Sequence, residues 1–182
     1  DGLRHICSPP LRSSAENHQD NLWIGLRTDD LSVVATDHCP FCDAEKLLGA
    51  EDFRDTPNGL GVIEHRMDLL YQGVLTGEIT LQRWVELCST TPARLFGLQG
   101  RKGIIAPGAD ADIVIFNPKT EHVLGASTHH MSIDYSVWEG IIVQGQSESV
   151  ISRGSLVIRD MNFVGKPGHG EFLKRSLPEP LR

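Results

Sequence analysis

Apolar residues recur at helical spacing in the first hundred residues of the chain. Leu22, Trp23 and Leu26 fall on one side of a predicted helix over 15–27. Ile63, Met67, Leu70 and Val74 repeat at three- and four-residue steps. Leu81, Trp84, Val85 and Cys88 do the same behind Thr80, whose hydroxyl suits an N-cap. Thr91-Pro92 opens a third short helix with proline at its first position, and Gly97 closes it. After the first helix, Val33-Val34-Ala35 is a short apolar run with β-branched residues. It predicts a strand over 31–36 buried on both faces, as in a parallel sheet. Helix, polar turn at Thr28-Asp29-Asp30 and buried strand make one unit of an α/β barrel.

From Gly100-Arg101-Lys102-Gly103 the texture changes. Ile104 to Phe116, Ile141 to Gln144, Val150 to Ser152 and Ser155 to Arg159 are short β-rich runs. Turn residues separate them, Arg153-Gly154 among them. This divides the chain into a barrel portion over 1–101 and a piece of β-sandwich over 102–160. Residues 161–182 are rich in Gly and Pro and partly basic (Lys166, Lys174, Arg175), with Phe172 and Leu173 as anchors. They predict an arm that orders on another surface, as at a subunit interface.

Composition narrows the partners. The 182 residues are 40% hydrophobic and 23% charged, an ordinary globular balance. A net charge of −7 argues against nucleic acid and anionic membrane. No apolar run approaches the ~20 residues needed to span a bilayer, and no secretory signal is visible. Four cysteines do not suggest a disulfide scaffold, so a reducing cytoplasm is expected. Cys39-x-x-Cys42 lacks the second pair that a structural zinc site wants, and reads as two loop cysteines. His129 and His130 are adjacent, so in a strand they would point to opposite faces and not share an ion.

Three residues carry candidate chemistry. Asp37 follows the predicted strand, and the carboxyl end of a barrel strand is where such enzymes keep catalytic groups. A turn or capping aspartate would look the same in sequence. Ser8 precedes Pro9-Pro10 in a rigid loop that could also be a plain connector. Asn58 lies in a polar, Gly-broken loop over 42–61. Its amide could pair with a –CO–NH– edge, or simply form an Asn-Gly turn. Glu64, His65 and Arg66, next along, are expected to be solvated or capping.

Four motifs occur in order: Cys-Ser-Pro-Pro-Leu-Arg at 7–12, Thr-Asp-His-Cys-Pro-Phe at 36–41, Pro-Asn-Gly-Leu-Gly-Val-Ile-Glu-His-Arg-Met at 57–67, and Pro-Gly-Ala-Asp-Ala-Asp-Ile-Val-Ile at 107–115. From Cys7 to Arg175 the chain resembles the C-terminal part of the hydantoinase/dihydropyrimidinase family of cyclic amidohydrolases. The resemblance implies the last part of a metal-dependent (β/α)8 TIM barrel, followed by the C-terminal part of a β-sandwich domain. It implies hydrolytic opening of cyclic amides or imides, hydantoins or dihydropyrimidines, to N-carbamoyl amino acids at a zinc pair. Asp37 matches the residue that both ligates one zinc and acts as general base, with His38 beside it. Ser8 matches the serine whose backbone holds the substrate ring, and Asn58 the substrate-binding asparagine. The complete enzyme is expected to be a cytoplasmic homotetramer.

The resemblance is also incomplete. The family's other zinc ligands, among them a His-x-His pair, match nothing in these residues. The chain is therefore expected to be a piece that a missing segment or a second chain completes. Alone it should be aggregated, molten or oligomeric, without stoichiometric zinc. A second reading is a non-catalytic dihydropyrimidinase-like protein that acts by assembly. Those relatives lack the strand-end aspartate, which Asp37 supplies here. A third is a free-standing binding domain that uses the β-rich half.

Overall fold

The structure, a computed structural model, describes residues 2–178. Helix α1 spans His18–Thr28, α2 Asp43–Lys46, α3 Arg66–Leu75, α4 Leu81–Val85 and α5 Thr91–Leu95. Four strands follow: β1 Ile113–Val123, β2 Ile142–Ser152, β3 Ser155–Arg159 and β4 Asn162–Phe163. They form one antiparallel sheet in the order β1-β2-β3-β4.

The helices start and stop for local reasons. The Thr80 hydroxyl accepts the Arg83 N–H at 3.1 Å and caps α4. Between α4 and α5, Glu86–Thr90 is a π-helical turn, with the Thr91 N–H bonded to the Glu86 carbonyl. Pro92 has no N–H and its ring would crowd the carbonyl four residues back, so a wider turn before it relieves the conflict. The two helices predicted at 81–88 and from Thr91 are thus one continuous helical run. Gly97 ends it at φ 66°. A Cβ there would lie 2.0 Å from the Ser176 carbonyl oxygen, and the Ser176 N–H donates to the Gly97 carbonyl at 2.8 Å. The first helix begins later than the predicted residue 15. Asn17, left-handed at φ 55°, separates a 3-10 turn at Ser14–Glu16 from α1.

The core joins the helices to the sheet. Leu26, Leu70, Tyr71, Ile79, Trp84 and Leu87 are buried together, with Trp23, Val34, Met67 and Phe116 packed against them. The rings of Tyr71, Trp84 and Phe116 meet pairwise at 4.7–5.3 Å between centroids, in tilted or edge-on geometry. Phe116 lies on β1, so this trio binds α3 and α4 to the sheet. Gln72 adds a two-way amide link: its Nε2 donates to the Gln144 carbonyl at 2.8 Å, and the Gln144 N–H donates back at 3.2 Å.

Three expectations need correction. Residues 31–36 do not form a strand, and they are half-buried or exposed rather than buried on both faces. A strand is a property of paired chains, and no described strand lies alongside. The Val34 N–H instead donates to the Leu87 carbonyl at 3.4 Å, and the Val34 carbonyl accepts from the Arg66 guanidinium at 2.8 Å. Next, β1 starts at Ile113, not Ile104. Arg101 and Lys102 pair with Asp110 at 2.9 Å each, and Lys102 also pairs with Asp112, which folds 101–112 into a loop. Finally, the runs at 141–144 and 150–152 belong to one strand, β2, which continues through Gly145. The strands β2, β3 and β4 are joined by two-residue turns. Arg153-Gly154 and Asp160-Met161 have positive φ at both positions, the geometry that matches strand twist. In the segment expected to be an arm, β4 pairs with β3, Phe172 is exposed, and residues 179–182 lie outside the described residues.

Candidate active site

Three separate segments meet around one cavity of about 300 Å³. Cys7 and Ser8 form one wall, Asp37 and Cys39 another, and Asn58 and Leu60 a third. Ser8, Asp37 and Asn58, singled out in the sequence, are all exposed on it. Asp37 follows the 31–36 segment at φ 46°. The left-handed region is uncommon for a residue with a Cβ, though aspartate tolerates it better than most.

Backbone contacts hold the walls together. The Cys39 N–H donates to the Leu60 carbonyl at 3.1 Å, and the Gly59 N–H donates to the Ile6 carbonyl at 3.2 Å. Gly59 has φ 152°, and a Cβ there would lie 2.4 Å from the Cys39 carbonyl oxygen. Only glycine lets the Asn58 segment come this close to the Asp37 segment. His38 adds a side-chain anchor. Its Nδ1 accepts the N–H groups of Val62 at 3.1 Å and Ile63 at 3.3 Å, so a neutral ring carries its proton on Nε2.

Lys46, on the short helix α2, lies beneath these loops with 0% exposure. Its ammonium donates to the carbonyls of Ile6 at 2.9 Å and Pro57 at 2.7 Å, with the Phe41 ring 5.5 Å away. Burial lowers its pKa, partly offset by the thiols of Cys7 and Cys39. Helix α2 is held in turn by its N-cap: the Cys42 N–H donates to Glu45 at 2.7 Å and the Asp43 N–H to Asp134 at 2.8 Å. Arg4 pairs with Asp43 at 2.5 Å, which raises the guanidinium pKa and lowers that of the carboxyl. Nothing in the sequence marked Lys46, because a lysine in a polar stretch reads as solvated.

For a metal, the cavity offers Asp37 as an exposed oxygen donor. No group of three or more His, Cys, Asp or Glu side chains among the described residues could hold an ion. A single carboxylate of this kind is chemically suited to be one donor to a divalent cation.

A second polar cluster lies between α3 and the sheet, beside a cavity of about 470 Å³. Glu64, His65 and Arg66 were expected to be solvated or capping; Glu64 and Arg66 are half-buried and hydrogen-bonded, and His65 is buried at the N-cap position. The Glu64 carboxylate takes the His130 N–H at 2.6 Å and meets its Nδ1 at 2.7 Å. His65 is 4% exposed, occupies the N-cap position of α3 and makes no side-chain cap bond. Its ring lies 6.2 Å from that of His129. Asp68 faces His122 at 3.4 Å. Burial, helped by Glu64, pushes the Asp68 carboxyl up to about 7, and burial lowers the pKa of His65 and His122. Desolvation thus works against the charged form of each. These residues are far apart in sequence except on α3, so only the fold reveals the cluster.

Residues 2–157 match the amidohydrolase family, and the chain belongs to it. The family has a TIM-barrel fold, of which this chain shows a part together with an antiparallel sheet. Within the family the chain is similar to hydantoinases. It is 51% identical to the D-hydantoinase of Streptomyces coelicolor over 97% of its own length and 38% of the relative's. It superposes on the D-hydantoinase of Bacillus sp. AR9 with a TM-score of 0.94 and 46% identity, covering 98% of this chain and 39% of that one. For the dihydropyrimidinase of Brevibacillus agri the values are 0.95 and 44%, over 99% and 39%. The chain thus spans under two-fifths of the length of these relatives. No helix among the described residues is long and apolar enough to cross a membrane.

Proposed function

We propose that this chain forms part of the active site of a cyclic amidohydrolase that opens hydantoins or dihydropyrimidines to N-carbamoyl amino acids. The observation that carries the reading is convergence: Ser8, Asp37 and Asn58, from three segments, line one cavity. Ser8 backbone groups and the Asn58 amide, with its donors and acceptor, hold the –CO–NH– edge of the ring. Asp37 would hold one ion of a zinc pair. When bound, that pair supplies a water of lowered pKa and a polarised carbonyl. Asp37 takes the proton from the attacking water as the C–O bond forms. It passes that proton to the ring nitrogen as the C–N bond breaks. His38 keeps the Asn58 loop against Asp37 through the Val62 and Ile63 N–H groups.

In the same reading, residues 1–101 are barrel, 102–160 belong to a β-sandwich, and 161–182 form an arm at a subunit interface of a homotetramer. The exposed Phe172 supports the last point. The free thiols Cys7, Cys39, Cys42 and Cys88 suit the cytoplasm. The alternative of a non-catalytic assembly protein is less well supported. Asp37 is in place on the cavity, and the similar proteins are named hydantoinases.

The test is Asp37→Ala in the full-length enzyme. Ring opening should fall by at least the ~10²–10⁴-fold typical of a lost general base, with the fold retained by circular dichroism. Near-normal turnover of hydantoin and dihydrouracil would overturn the assignment.

A further inference from the structure

We infer that Lys46 is a positioning residue, whose buried ammonium fixes the distance between the two loops that carry Ser8 and Asn58. The inference rests on the proposed roles of those two residues in holding the ring.

The environment of Lys46 is unusual for a lysine. Fully buried lysines are rare unless paired with a counter-charge, because desolvating an ammonium is costly. Here the side chain is 0% exposed, and Nζ donates to two backbone carbonyls. Those carbonyls belong to Ile6, two residues before Ser8, and Pro57, the residue before Asn58. An ammonium has three donors and no acceptor, so it can draw two carbonyls toward one point. The Ile6 carbonyl also receives the Gly59 N–H at 3.2 Å. One oxygen thereby ties the Ser8 loop to both Lys46 and the residue after Asn58.

Lys46 itself has a fixed base. Helix α2 is capped by Glu45 and Asp134 and braced by the Arg4–Asp43 pair. The Phe41 ring beside Nζ belongs to the same segment as Asp37, four residues on. All three walls of the cavity therefore meet at this one side chain. Without the ammonium, two carbonyls lose a buried donor and the loops lose their shared reference point.

The alternative is that Lys46 merely stabilises the fold. The two are separated by a double-mutant cycle in the full-length enzyme, combining Lys46→Met with Asn58→Ala. Readouts are kcat and KM for hydantoin, bound metal per subunit, and Tm. Lys46→Met should lower kcat/KM by about 10–100-fold, chiefly through KM, with metal content unchanged. In the Asn58→Ala background the same substitution should cost less than about threefold, because the group it positions is gone. The Tm loss should be the same in both backgrounds. If Lys46→Met does not fold, Lys46→Gln, which keeps two N–H donors on a shorter side chain, is put through the same cycle. Equal losses of kcat/KM in the two backgrounds would overturn the inference. An Asn58→Ala enzyme with parental kcat/KM would instead overturn the binding role of Asn58, and the inference with it.

Discussion

Gly59→Ala should uncouple activity from folding more cleanly than any change to a charged group. The added Cβ would sit 2.4 Å from the Cys39 carbonyl oxygen, against an ordinary contact of 3.4 Å or more, so the loops must separate by about 1.0 Å. The obstacle is backbone, which no rotamer change can move aside. A shift of about 1 Å between groups that orient a substrate is worth roughly 10²-fold in rate. The strained backbone adds a stability cost of about 1–3 kcal/mol. The control is Gly154→Ala in the β2–β3 turn, where φ is 78° and nothing lies within 4 Å of the new Cβ. That variant should lose stability and keep its activity. Steady-state hydrolysis of hydantoin and thermal unfolding of both full-length variants check this. If Gly59→Ala loses only as much kcat/KM as Gly154→Ala, the close approach of the Asn58 and Cys39 segments does not shape the site.

Two further expectations concern stability. Asp68 has a folded pKa raised to about 7, so the native state holds more protons than the unfolded state between the ordinary carboxyl range and pH 7. Its stabilising effect is therefore present at low pH and lost as pH rises to 7. His65 and His122, with lowered pKa values, act in the opposite sense and lose stability as pH falls below about 6.5. Asp68→Asn should thus gain stability relative to the parent as pH rises from 4 to 8, by at most about 1.4 kcal/mol per pH unit. Denaturant midpoints that track the parent in parallel across that range would show that Asp68 is not held protonated. In the core, Leu87→Ala should cost about 2–5 kcal/mol, because the side chain is 0% exposed. A Tm within a degree of the parent would mean that the helices do not pack as described.

What could be read from the sequence was whatever depends on near neighbours. The helices α3 and α4, the Thr80 cap and the Arg153-Gly154 turn are set within a few residues and occur where expected, although Ile63, Leu81 and Val85 of the two apolar stripes are exposed rather than core. The strand at 31–36 failed for the complementary reason. Its apolar run is local, but a strand needs a partner, and the Val34 N–H bonds instead to Leu87 in a helical segment. The Asp160-Met161 turn carried no Gly or Asn to announce its positive φ. The site residues were a mixed case. Ser8 looked like a connector and Asn58 like an Asn-Gly turn, and only the ordered motifs singled them out. Lys46 and the His65–Asp68 cluster carried no signal, because burial is decided by residues distant in sequence.

The division between site and core has a physical consequence. Ser8, Asp37 and Asn58 are exposed on the candidate active site, and what fixes them is polar: a buried ammonium, one imidazole and a few backbone N–H groups. The apolar core of Leu26, Leu70, Trp84 and Leu87 sits elsewhere, between helices and sheet. Hydrophobic burial is non-directional and tolerates small displacements, whereas a carbonyl bound at 2.7 Å loses its bond if it moves by an ångström. A cavity that must present Ser8, Asp37 and Asn58 in register is therefore better held by directional bonds than by packing. Changes at Leu87 and at Lys46 should accordingly separate. The first moves Tm at unchanged kcat/KM, and the second moves KM by more than its effect on Tm explains.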